Sequence, residues 1–302
     1  MSYTTTSQLE REARNTGDST TWRAYFNSFR DSPENVRNKC YAILAENPEG
    51  AKQAALEKLV EKGGAWLEHD VAKQLIHVHG VMLSPKHGQP QEAYTMSWAQ
   101  SRTRGTDAQQ RLTIEQAEER LRTAVHPSGL KLVIPTVPER DATVRALIRA
   151  REVSIRQPEL VDYALQLMRS DCDDFCLTSD RVVYGKNGKL IRAFGREDTE
   201  EIPIDLRGNN TCVRDMQDPQ AIIKLLLDTD ESIAQVDERY NRFLVVPNGT
   251  YLWRITEAGE RALVLGRNFD NDRFIIDAGG YIGYGRPLRG CSRAKISQDG
   301  AR

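Results

Sequence analysis

Long apolar runs are missing from this chain of 302 residues. No stretch approaches the roughly eighteen residues that a membrane-spanning helix needs, so no membrane partner is expected. The opening residues, Met1-Ser-Tyr-Thr-Thr-Thr-Ser-Gln, lack the basic and apolar regions of a secretory signal. Cysteine is scarce and odd in number, five in all. Scattered thiols without paired spacing point to a reducing cytoplasm, not to a disulfide framework. A basic excess is absent too: 42 basic side chains face 43 acidic ones, for a formal charge of −1. Proteins that coat long nucleic acids usually carry such an excess, so any contact of that kind must be a local patch.

Familiar catalytic patterns are also lacking. There is no Gly-x-Ser-x-Gly elbow for a serine nucleophile. The glycine-rich stretch Gly279 to Gly285 follows a strand and leads into strand-like sequence, whereas a phosphate-cradling turn needs a helix N-terminus after it. His77-Val-His79 has no Glu in the His-Glu-x-x-His arrangement, and on a helix residues two apart diverge. On a strand the two imidazoles would share a face. Cys172-Asp-Asp-Phe-Cys176 has one nearby cysteine, Cys212, where zinc needs two more ligands. The aspartates around it oppose the lowered thiol pKa of a nucleophile. Neither a metal nor a cofactor is expected.

What is present is a change of pattern. Hydrophobic residues make up 39% and charged residues 28%, enough for a packed core. Residues 1–18 read as a polar tail. Residues 19–170 read as helical. Ser32-Pro33 and Asn47-Pro48 are helix starts, since serine or asparagine caps and proline fits the first turn. A third helix is expected from Ala65 to His79, ending at Gly80. Thr113 and Gln116 have capping-box spacing, and helices follow over 139–155 and from Pro158 to about Ser170. Residues 171–302 read as β-rich. Arg181–Phe194 is a hairpin around Asn187-Gly188. One helix starts at Asp218-Pro219. Strands then run from Arg242-Phe-Leu-Val-Val246 through Tyr251–Thr256 to Tyr284. The fold class expected is α+β: a helical N-terminal part followed by an antiparallel β-meander with one helix.

Two basic features remain. Arg145, Arg149 and Arg156 lie together on the helix over 139–155. Arg286, Arg289, Arg293 and Lys295 form an acid-free stretch directly after Tyr281 and Tyr284. Arginine with aromatics on a sheet is the composition of a surface that stacks bases and holds phosphates. The alternative is that these arginines pair with the acidic runs at 171–174 or 197–201. The expected function is a non-enzymatic intracellular binding or assembly protein. Its partner surface would be the C-terminal sheet and basic tail, facing a protein, a second copy or single-stranded nucleic acid. The opposing class is a metal-dependent hydrolase or nuclease using the aspartates near 171–180 or the histidines near 77–87.

Overall fold

The computed structural model describes residues 5–86, 88–102, 114–123, 126–153, 157–184, 190–194, 198–202, 211–216, 218–246, 249–253, 259–269, 272–280 and 287–296. It begins with four helices. Thr5 and Gln8 exchange side-chain and backbone bonds at the start of α1 (Thr6–Thr16), a reciprocal cap. Asp18 accepts the Thr21 N–H at 2.9 Å to open α2 (Ser19–Asn27). Ser32 caps α3 (Pro33–Glu46), as its sequence indicates. α4 (Lys52–Glu61) starts a turn later than Asn47-Pro48 suggests, because Asn47 takes the left-handed conformation that ends α3, φ 50°. These helices close over their own core, which includes Trp22, Phe26, Cys40 and Leu59.

The expected third helix is instead a hairpin. Ala65 to Leu83 forms β1 (Trp66–Asp70) and β2 (Leu75–Leu83), joined in an antiparallel pair. The physical reason is the alternation Ile76-His77-Val78-His79. Ile76 and Val78 are buried in the core, and a strand turns the intervening histidines to the other face. The turn is set by Asp70, whose Oδ1 accepts the Lys73 N–H at 3.0 Å. β3 (Glu92–Ala99) pairs next to β2, and the register shifts between His79 and Val81. Gly80 at this shift has φ +86°, and a Cβ there would stand 2.7 Å from the Gly64 carbonyl oxygen. No other side chain fits that close approach.

After α5 (Ile114–Thr123), two long helices form the centre, α6 (Val137–Val153) and α7 (Pro158–Asp173). α6 packs on β2 on one side and on later elements on the other. Those elements are β4 (Arg181–Tyr184), β5 (Leu190–Phe194), β6 (Asp198–Ile202), β7 (Thr211–Cys212), α8 (Pro219–Leu227), α9 (Ile233–Leu244), β8 (Thr250–Trp253), β9 (Gly259–Asn268) and β10 (Arg273–Gly280). Seven strands form one sheet in the order β6-β5-β4-β9-β10-β8-β7. Its pairs are antiparallel except β8 with β10, which is parallel. Arg242–Leu244, read as strand, is the end of α9, so the C-terminal part holds two α-helices and a short 3-10 turn, Val213–Asp215, among its described residues.

The last strand, β11 (Cys291–Lys295), returns to β3 and completes a sheet of order β1-β2-β3-β11. One apolar core runs from Ala65 through Leu147, Leu165 and Leu226 to Phe274 and Cys291. The expected helical stretch 19–170 thus contains β1, β2 and β3, α8 and α9 follow it, and the core draws on both sides of residue 170. The fold is mixed α+β, with helices concentrated towards the N-terminus and antiparallel strands mostly later.

Candidate functional site

The basic residues picked from sequence are not brought together. Arg289 is buried, with 1% of its side chain exposed. Its Nε donates to Asp171 Oδ2 at 2.8 Å and Oδ1 at 3.0 Å, and its Nη1 donates to the Ala99 and Gln100 carbonyls at 2.7 and 2.6 Å. Asp171 also accepts from Arg140 at 3.2 Å and from the Cys176 thiol at 3.4 Å. Arg289 therefore belongs to an internal hub that ties α6, α7 and the approach to β11 together, and it leaves the proposed contact surface. Burial is the reason: two guanidiniums share one carboxylate that water does not reach.

Arg145 and Arg149 also turn inward. Arg145 donates to Asp141 Oδ2 at 3.0 Å, and Asp141 accepts further from Arg239 at 2.6 Å and the Tyr240 hydroxyl at 2.8 Å. Arg149 reaches the Gly80 carbonyl at 3.4 Å. Burial, and then the positive charge of Arg145, make Arg149 less basic than usual. The two are packing partners of α6, not an outward stripe. Arg293 and Lys295 stay on the surface, 50% and 57% exposed, paired with Glu139 at 3.3 Å and Glu92 at 2.9 Å. Tyr281, Tyr284 and Arg286 lie outside the described residues, as do Arg156 and Thr113.

The aspartates of the opposing reading are dispersed. Asp171 serves the hub, Asp180 accepts the Val137 N–H at 2.7 Å, and Asp174 pairs with Arg102. His77 and His79 do share a sheet face, and each bonds a hydroxyl across the strand pair. His77 Nδ1 meets Ser97 Oγ at 2.7 Å, and His79 Nδ1 meets Thr95 Oγ1 at 2.8 Å. Glu68 Oε2 lies 3.6 Å from His79 Nε2 and 2.6 Å from Lys52 Nζ. Burial alone would raise the Glu68 carboxyl, but the nearby His79 and the bond from Lys52 outweigh it and hold it at about 2. Among the described residues no three His, Cys, Asp or Glu side chains are placed to hold one metal ion. The five cysteines are free thiols, and burial pushes Cys176 up to about 12, which suits packing and not attack.

The arrangement that sequence reading missed lies at one end of the seven-stranded sheet. The register places Tyr251 beside Ile275, and Ile275 beside Gly266. The next row holds Thr250, Phe274 and Arg267. Arg273 and Asn268 close the end, with Phe269 just beyond. The Arg273 guanidinium stands 4.1 Å over the Tyr251 ring, and that of Arg267 stands 4.9 Å over Phe269. Trp253, two residues along β8, shares the Tyr251 face by strand alternation and is 39% exposed. Phe269 is 57% exposed. Underneath, Tyr240 of α9 stacks on Phe274 at 3.5 Å and gives the platform a rigid floor. The Nε atoms of Arg267 and Arg273 have no hydrogen-bond partner, and Arg267 pairs through Nη2 with Asp272 at 3.5 Å.

Arg267 shares the Phe274 face, whereas Arg273, Tyr251 and Trp253 share the other, so this second face offers one arginine–aromatic pair and an exposed tryptophan that can hold flat π-systems and an anion side by side. The signal in the sequence was the alternation Tyr251-Leu252-Trp253. The arginine that completes it, Arg273, comes from a later strand and joins only through strand pairing. Comparison with known proteins finds no matching family model, no matching curated protein and no matching solved structure.

Proposed function

We propose that this chain is a non-catalytic binding protein that holds single-stranded nucleic acid on the open end of its seven-stranded sheet. The observation that carries the reading is the Arg273 guanidinium 4.1 Å over Tyr251, beside the exposed Trp253. Bases stack on aromatic faces whatever their sequence, and arginines beside those faces meet the phosphates. The near-neutral chain, at −1, fits a local grip and not a long coated tract. Four buried thiols and one half-buried one, all free, support a cytoplasmic setting.

Binding of a labelled oligouridine at several salt concentrations tests this. Tyr251→Ala is expected to weaken binding by about 1–3 kcal/mol, the usual worth of one stacked base. Arg273→Gln is expected to lower the salt slope by about 0.7, one phosphate contact on a single strand. Variants that fold and bind as the parent does would overturn the reading. Self-association or a protein partner would then become the assignment for this surface.

A further inference from the structure

We infer that Phe175 is a second stacking residue of this platform, so that the site takes two neighbouring bases of a single strand and not one. The inference rests on the nucleic-acid reading above. Phe175 lies far from Tyr251 in the sequence, just after α7. Strand pairing brings the two to one face. Tyr251 of β8 stands beside Ile275 of β10, and Ile275 beside Gly266 of β9. A Cβ on Gly266 would point to the Tyr251 face and run into the Phe175 ring. The ring therefore occupies, on that face, the place that a β9 side chain would take.

Two residues are unusual here, and each explains the other. The end of α7 closes with a bond pattern common at helix C-termini. The Cys176 N–H donates to the Asp171 carbonyl at 2.9 Å, and the Phe175 N–H donates to the Cys172 carbonyl at 3.2 Å. The residue at the Phe175 place takes the left-handed conformation, here φ 50°, and is usually glycine. A bulky side chain at that φ is strained. Gly266 reverses the choice. Its φ is not left-handed, so its backbone does not require glycine, and glycine weakens a strand. A phenylalanine where glycine is favoured and a glycine where a side chain is favoured together put one ring on this face.

Packing alone does not account for the ring. It sits against the cluster that holds Leu177, Val264 and Leu288, yet it is half-buried where those three are buried. Ile275, between Phe175 and the Tyr251–Arg273 pair, is 3% exposed, so no gap opens between them. Tyr251 and Gly266 are two strand spacings apart, about 10 Å. Sheet aromatics spread over neighbouring strands stack successive bases of one chain. Arg273, on the strand between them, meets the phosphate that links the two bases.

Fluorescence anisotropy of labelled oligouridine over a salt series tests the inference. Phe175→Leu keeps an apolar side chain against the cluster and removes the aromatic face. It is expected to weaken binding about 5- to 150-fold, the worth of one stacked base. The salt slope is expected to stay as in the parent, because no phosphate contact is lost. Phe175→Tyr keeps a ring and is expected to bind as the parent does. Phe175→Gly suits the left-handed φ, serves if the leucine variant does not fold, and is expected to lose binding to the same degree. A residue that only held the platform in shape would, when replaced, displace Arg273 and lower the salt slope as Arg273→Gln does, and that result would overturn the inference. Leucine and glycine variants that bind as the parent does, beside a weakened Tyr251→Ala, would overturn it too and leave the platform standing on one stacked base. No binding by the parent would overturn both readings.

Discussion

At the scale of single residues, burial decides what a charge does. Arg289 and Arg293 are four apart in a stretch of cations, yet one is 1% exposed and the other 50%. Removing Arg289 leaves Asp171 inside the protein with one guanidinium fewer. Arg289→Ala is expected to cost about 3–5 kcal/mol, because an ionised group is stranded away from water. Arg293→Ala is expected to cost less than about 1 kcal/mol, since a half-exposed ion pair is weak and screened. Urea denaturation of both variants checks this contrast. Equal, small losses would contradict the internal hub. The sequence pattern alone offered both fates for Arg289, contact surface or partner of the 171–174 acids. The choice between them depends on how the chain after 286 returns across the molecule, which no local spacing records.

At the scale of elements, starts and stops were legible and periodicity was not always so. Ser32-Pro33, Pro158 and Asp218-Pro219 open helices where proline's missing N–H is harmless. The segment from Ala65 to His79 was not legible, because a short run with apolar residues on several phases fits both a helix and a strand. Pairing with β3 decides in favour of the strand. Conversely Arg242–Leu244 looks like strand in isolation but completes the amphipathic α9, opened by the reciprocal cap of Ser232 and Gln235. Edge strands need protection, and β1 receives it from outside its own sheet. Gln157, at the start of α7, accepts the Leu67 N–H at 3.2 Å and donates to the Leu67 carbonyl at 2.8 Å. Its amide thus stands in for a neighbouring strand. Gln157→Ala is expected to leave both backbone groups unpaired, at about 1–3 kcal/mol. The Leu67 amide should then exchange its hydrogen faster. An unchanged exchange rate at Leu67 would show that the amide does not seal this edge.

At the scale of the whole molecule, α6 and α7 form a shared spine between the two sheets, and β11 ties the end of the chain to strands formed near its beginning. That frame leaves Tyr251 and Trp253 of β8 and Arg273 of β10 on one face at one sheet end. The reading of this end as a nucleic-acid platform is the central claim, and Trp253 offers a direct report on it. The other tryptophans, Trp22, Trp66 and Trp98, are 0%, 6% and 1% exposed, against 39% for Trp253. Titrating oligouridine into the full chain is expected to quench the tryptophan emission saturably, by stacking on Trp253. The same titration of Trp253→Phe is expected to show almost no quenching, because the remaining indoles are shielded. Absence of saturable quenching in the parent, or equal quenching in Trp253→Phe, would contradict the account.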